Sequence, residues 1–285
     1  MKSPYIIGEV KKPRKMVSLA PSLTEMLFFL ELGEKVVGVT EQCDFPEEAR
    51  RRERMGSFVH PDIEKISSLR PDLILVLERI HRRFIEDARG RSLPLLVFPN
   101  MEKVEEVLGA MEEIARIAGD EGRGEELVGS LRKRLEEVQK RVKPFPPVRV
   151  FRLMTDDPII SPTCSCYQFD AIRLAGGEPL PLNFEEPYTS VGLEEVMDFD
   201  PQVVLSCGRR AEERPKEMCP GCRAERPPCR RVVEEMARRE GWRETSAAKE
   251  GRIYPTPCWL LCRPGPRIVD GIELMAKLFH PEAQG

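Results

Sequence analysis

IEKISSLRPDLILV (residues 63–76) and LEEVMDFDPQVVLS (residues 193–206) are one local design written twice. Each begins with apolar residues at helical spacing, passes an x-Pro step (Arg70-Pro71, Asp200-Pro201) and ends in an apolar run. Proline disfavours helix in the residue before it, so the helix must stop and an extended segment follow. A continuous apolar run of that length reads as a strand buried on both faces, which is how parallel strands read. The repeat therefore predicts two similar α/β halves.

The alternation extends outward from both copies. Residues 15–20 (KMVSLA), 35–39 (KVVGV), 72–77 (DLILVL) and 93–98 (LPLLVF) read as strands. Between them fall a helix from Ser22 to about Leu32, a charged helix opened by Pro46, and a helix over 61–69. Ser22 with Glu25 three residues on has the capping-box pattern. Residues 101–142 are helical throughout, broken only by Gly119, Gly122 and Gly124, and KPFPP at 143–147 ends them. Strands over 148–153 and 201–205, an edge strand over 252–254, and helices over 167–174, 190–197 (capped by Ser190), 234–242 and 266–278 complete the pattern. The predicted fold is α/β: two Rossmann-like lobes with parallel sheets, a long helical spacer, and a ligand cleft between the lobes. The divisions are 1–100, 101–146 and 147–285, with a Cys-rich insertion at 207–229.

At 285 residues and 41% hydrophobic, the chain can bury a substantial core, so global disorder is excluded. A net charge of -3 argues against a phosphate-gripping, nucleic-acid-binding role. The N-terminal MKSPYIIGEVKKPRK lacks the run of about 7–15 apolar residues of a secretory leader. Nowhere does the chain reach the roughly 18 apolar residues that span a bilayer, so it is not expected to be membrane-inserted. As it stands, the sequence predicts a soluble, cytoplasmic protein, or a periplasmic or extracellular one if a leader is removed.

In parallel sheets, ligands bind beyond the carboxyl ends of the strands. Of nine cysteines, Cys43, Cys164, Cys166, Cys207, Cys258 and Cys262 fall in predicted strand exits. The insertion RPKEMCPGCRAERPPC (214–229) holds Cys219, Cys222 and Cys229. Cys219 and Cys222 are two residues apart, so one turn can present both thiolates to a metal, with Cys229 and Cys207 completing four ligands. Thiolates select soft metals, and both Zn and an Fe–S cluster fit this set. A structural clip or plain reduced thiols are the simpler readings. His81, at a strand exit, is a candidate axial ligand or anion contact, or else simply solvated. No histidine adjoins a Ser or Cys in a nucleophile motif, and neither G-x-x-x-x-G-K-[ST] nor a strand-following G-x-G-x-x-G occurs. Hydrolase and nucleotide chemistry are therefore not expected.

Four stretches together resemble a known family. KMVSLAPSLTEMLFFLELGEKVVGVTEQCDFP (15–46) resembles the opening of the periplasmic binding proteins for cobalamin and iron chelates. PDIEKISSLRPDLIL (61–75) and LEEVMDFDPQVVL (193–205) are similar to their helix–strand units, and GRIYPTPCWLLCRPGPRIVDGIELMAKLFHPE (251–282) to their carboxyl-terminal segment. The resemblance spans about 15–282 and implies a non-enzymatic protein that holds a corrinoid, haem or siderophore between two lobes and delivers it to an ABC transporter permease. It implies that Glu64 and Glu194 dock onto the permease. It also implies that Phe45 of CDFP packs on the ligand ring, with Tyr188 and Trp259 as further ring-contact candidates. The thiol-rich exits depart from that family pattern. They suggest the alternative of a cytoplasmic Fe–S or Zn metallocluster protein, with Cys207, Cys219, Cys222 and Cys229 holding the metal and Cys43, Cys164, Cys166, Cys258 and Cys262 facing the ligand.

Overall fold

The computed structural model describes residues 3–214 and 228–284. The chain divides into two compact units. Unit 1 comprises residues up to 101, 105–132 and 264–266; unit 2 comprises 102–104, 133–263 and 267–285.

Unit 1 holds a six-stranded sheet of β1 (Tyr5–Ile7), β2 (Met16–Ser18), β3 (Val36–Val39), β4 (Glu53–Arg54), β5 (Leu73–Leu77) and β6 (Leu95–Phe98). Its spatial order is β1-β6-β5-β2-β3-β4. All pairs are parallel except β1 with β6. The helices are α1 (Pro21–Phe29), α2 (Ile63–Ser68) and α3 (Arg82–Gly90), followed by α4 (Val104–Ala118) and α5 (Glu121–Val142), whose first half belongs here. Val17, Ile74, Val76, Leu95 and Val97 of the central strands pack with Ile66, Phe84 and Ile85 of α2 and α3. Each such side chain contributes roughly 1.5–3 kcal/mol on burial, which is why the LILVL run becomes an interior strand.

Unit 2 holds β7 (Val148–Leu153), β8 (Thr155–Asp156), β9 (Ile159–Pro162), β10 (Gly177–Pro179), β11 (Tyr188–Ser190), β12 (Val203–Ser206) and β13 (Ile253–Pro255). Its main sheet, β10-β7-β12-β13, is wholly parallel. A small antiparallel sheet, β11-β9-β8, adjoins β7 in sequence. The helices are α6 (Tyr167–Leu174), α7 (Leu193–Phe199), α8 (Val233–Ala237), α9 (Ser246–Lys249), α10 (Cys258–Leu261) and α11 (Ile268–Phe279). Phe151, Leu153, Val204 and Ile253 form the core with Met236 and Trp242.

The sequence repeat is real in the backbone. α2–β5 and α7–β12 are its two copies, and in each the residue before proline takes a left-handed conformation, Arg70 at φ 48° and Asp200 at φ 45°. That conformation is costly for a residue with a Cβ. At Asp200 the carboxylate offsets the cost by accepting from the Ser246 backbone N and hydroxyl, both at 2.7 Å.

Local signals misplaced two caps. Helix α1 begins at Pro21 with Ala20 as N-cap and no side-chain cap, so Ser22 lies inside the helix. Proline at the first position supplies the helical φ and lacks the N–H that a cap would serve. Ser190 pairs in β11 with Ile160, and α7 starts after Gly192. The charged segment after Pro46 is a 3-10 turn over Glu47–Arg51. β1, β4, β8, β9, β10 and β11 were not expected; they are two to four residues long and, apart from the β8–β9 hairpin, exist through pairing with distant segments.

Candidate thiol site at the strand ends of unit 2

Strand β7 reads VRVFRL, and its fifth residue, Arg152, is 2% exposed in a parallel sheet. Its guanidinium donates to Gln168 Oε1 (3.3 Å), the Leu205 carbonyl (3.2 Å) and Thr256 Oγ1 (2.6 Å). The remaining arm points at two sulfurs, Cys207 Sγ at 3.3 Å and Cys262 Sγ at 3.5 Å. Among the described residues, every hydrogen-bonded partner of this buried cation is neutral unless a thiol ionises. A guanidinium does not deprotonate in a protein, and a buried unpaired charge costs several kcal/mol.

Three cysteines are brought to this cation by different means. Cys207 follows β12, and its N–H still bonds the Leu153 carbonyl (3.1 Å), so it continues the strand. Arg231 fixes the Cys207 carbonyl (3.1 Å) and Ser206 Oγ (2.9 Å), and is itself held by Asp156 at 2.5 Å. Cys258 and Cys262 bracket the single turn of α10, with the Cys262 N–H on the Cys258 carbonyl at 2.8 Å. Residues four apart on a helix share a face, so CWLLC presents both thiols on one side. The sulfurs of Cys207, Cys258 and Cys262 all lie within 4.8 Å of one another.

The electrostatics follow from this geometry. Hydrogen bonds from Cys258 and Cys262, helped by the Arg152 charge, hold the Cys207 thiol well below its usual pKa despite burial. Cys262 is pushed up, chiefly because its S–H donates to the Cys207 thiolate. Burial works against the charge on Arg152, but the neighbouring sulfurs raise its pKa on balance. The arrangement is a buried guanidinium beside a thiol of lowered pKa, with two further thiols in reach: a ligand set for a soft metal, or a nucleophilic sulfur.

The other predicted residues fall as follows. Cys229 is not in this group, and Cys219 and Cys222 lie outside the described residues. Cys166 is the N-cap residue of α6, with its thiol pushed up by burial. Cys164 is half-buried near the Phe184 carbonyl at 3.8 Å. Cys43 belongs to unit 1, buried and bonded by Thr24 and Thr40 at 3.0 and 3.2 Å. His81 is 1% exposed; Nδ1 accepts from the Leu77 N–H (2.9 Å) and Nε2 lies 2.8 Å from the Phe58 carbonyl. Burial lowers its pKa to about 4. Both ring nitrogens are engaged by backbone.

Phe45, Tyr188 and Trp259 are 45%, 38% and 42% exposed, unusual for large rings. Arg267 lies over the Trp259 ring at 4.7 Å. Tyr188 is partly exposed as a residue, but its phenol end is buried and accepts from Gln168 Nε2 at 3.0 Å. Gln168 thereby links Tyr188 to Arg152. Glu64 and Glu194 are exposed in the first turns of α2 and α7; Glu64 pairs with Arg91 at 2.6 Å. Sequence reading overlooked Arg152, the centre of the site. The available signal was the second arginine of VRVFRL, near the carboxyl end of a strand expected to be buried, since a charge there needs a partner.

Two parallel-sheet units in one chain, with chemistry gathered at strand ends, define the class of two-lobed solute-binding proteins. The profile of the periplasmic binding protein family matches residues 16–258, and the chain belongs to that family. An uncharacterized ABC transporter substrate-binding lipoprotein of Bacillus subtilis, YvrC, is 27% identical over 95% of this chain and 82% of its own. A vitamin B12-binding protein of Vibrio cholerae is 25% identical over 95% and 91%. Among solved structures, the periplasmic vitamin B12 binding protein BtuF of Vibrio cholerae superposes with TM-score 0.75 at 23% identity, covering 96% of this chain and 99% of that one. The periplasmic heme-binding protein RhuT of Roseiflexus sp. RS-1 gives 0.77 at 22%, covering 97% and 100%. No helix among the described residues is long and apolar enough to cross a membrane.

Proposed function

We propose that this protein is the non-enzymatic substrate-binding component of an ABC transporter, and that its ligand is a metal-bearing macrocycle, a corrinoid or haem, or an iron chelate. The observation that carries this reading is the chain-long similarity to the Vibrio cholerae vitamin B12-binding protein. The exposed rings of Phe45, Tyr188 and Trp259 support it, because a flat macrocycle is held by aromatic surface with a few polar groups at its rim. His81 is left out of the ligand set, since both its nitrogens are used. Glu64 and Glu194 remain the proposed docking points for the permease.

The test is a fluorescence titration of purified protein with cyanocobalamin, haemin and a ferric siderophore. One of them should quench tryptophan emission saturably at one equivalent, and W259F should lose most of the response while buried Trp242 stays unquenched. A flat response to all three removes the reading.

A second reading, a metallocluster protein of a reducing compartment, draws on a different observation. The sulfurs of Cys207, Cys258 and Cys262 lie within 4.8 Å of one another, a gathering of thiols that suits a metal-holding protein kept reduced. Fractionation of cells expressing the natural gene checks it: recovery in the cytosol supports this reading, and recovery in the periplasmic or lipid-anchored fraction removes it.

A further inference from the structure

We propose that Cys207, Cys258 and Cys262 form a three-thiolate site for one soft divalent cation of the zinc type, with Arg152 as its built-in counter-charge.

Spacing is the first argument. A tetrahedral ion with metal–sulfur bonds of about 2.3 Å sets its sulfurs about 3.8 Å apart. The three Sγ atoms already lie within 4.8 Å of one another, so small side-chain rotations close the difference. In a 4Fe–4S cluster each thiolate binds a different iron, and in a 2Fe–2S cluster at most two share one, so three thiolates converging on one point exceed what either cluster gathers on an iron. Sulfurs gathered this closely suit a single ion. Thiolates also exclude Mg and Ca in favour of softer metals.

Charge is the second argument. Three thiolates and a divalent ion sum to minus one, and Arg152, 2% exposed and touching two of the sulfurs, returns the total to zero. A trivalent ion would leave the guanidinium uncompensated, and a monovalent ion would leave an excess negative charge. Buried groups favour the combination without net charge.

Preorganisation is the third. Two ligands sit on one helical turn, and α11 approaches that turn so closely at Gly271 that a Cβ there would lie 3.0 Å from the Leu260 carbonyl. The third ligand continues a strand whose end is held by Arg231. Rigid supports of this kind reduce what the ion must order on binding.

The site stands apart from the macrocycle reading, and its test contains no macrocycle, so either can fail alone. Fully reduced wild-type protein is titrated with Cd2+ while thiolate-to-cadmium charge-transfer absorption is followed. We expect saturation at one equivalent. Alkylation and peptide mapping of the loaded protein should show Cys207, Cys258 and Cys262 protected. C207S, C258S and C262S should each weaken binding by at least about tenfold, whereas C219S/C222S/C229S should bind as the wild type does. Protection falling on Cys219, Cys222 and Cys229 instead, absence of charge transfer, or uptake of iron and sulfide in several equivalents at these thiols overturns the proposal. The mapping uses unaltered protein, so a variant that fails to fold does not stop the test.

Discussion

The Arg152 guanidinium donates to the Cys207 sulfur across 3.3 Å inside the sheet of unit 2, and this charge, with hydrogen bonds from Cys258 and Cys262, lowers the Cys207 pKa despite burial. Cys262, 3.5 Å from the same guanidinium, is positioned to take the charge if Cys207 cannot. C207S should therefore be mild, because Cys262 ionises in its place. C207S/C262S removes both sulfurs that accept from the guanidinium, leaving only the more distant Cys258, and should cost about 3–5 kcal/mol, far more than the two single changes added. Urea unfolding of the four proteins under reducing conditions measures the excess; simple additivity would refute the shared pairing.

The same pair makes stability depend on pH in a defined direction. The Cys207 pKa is lower folded than unfolded, where a cysteine titrates near about 8.5. Its contribution is thus complete above that pH and is lost as pH falls through the folded value. The gap in melting temperature between wild type and C207S/C262S should be widest at alkaline pH and shrink on acidification.

His81 acts in a lower window. Its pKa is about 4 in the fold against 6.5 when exposed, so it stays neutral in the native state. As pH falls from 6.5 towards 4, the unfolded chain gains a proton that the native chain does not, and on the order of 3 kcal/mol of stability is lost. NMR of the ring should show no titration between pH 8 and 5, and a midpoint near 6.5 would contradict the buried backbone-bonded placement.

Gly271 is where α11 meets α10, 3.0 Å from the Leu260 carbonyl once a Cβ is added. A backbone atom yields less than a side chain, so G271A should destabilise by about 1–3 kcal/mol. It should also shift α10 and weaken Cd2+ binding, although it touches no sulfur. Unchanged cadmium affinity in a destabilised variant would show that α10 does not need this support.

Glu64 and Glu194 are surface carboxylates, and the Glu64–Arg91 pair lies in solvent. E64K and E194K should leave melting temperature and ligand binding as they are. If these residues dock, each should reduce stimulation of the cognate permease's ATPase in proteoliposomes, and the double variant should abolish it. Full stimulation by the double variant would remove them from the interface.

Much of the fold was legible because it rests on short-range pattern. The apolar runs at 72–77 and 201–205 could bury their side chains only as interior strands, and the prolines at 71 and 201 enforced the break before each. The repeat of that design stated two units without any contact being known. The short strands β8, β9 and β11 were illegible, because their hydrogen bonds go to segments up to thirty residues away and their own residues carry no strong preference.

The site divides along the same line. From sequence alone came the residue types and the crowding of cysteines at strand exits; the helical turn that puts Cys258 and Cys262 on one side did not, because 256–264 read as a loop. Which thiols meet was settled by the parallel register of β7, β12 and β13, which sets Arg152 beside Leu205 and carries Cys207 and Thr256 to the same end of the sheet. Local chemistry is written in neighbouring residues, whereas a charge pair between positions 152 and 207 exists only once strand pairing has removed both from water.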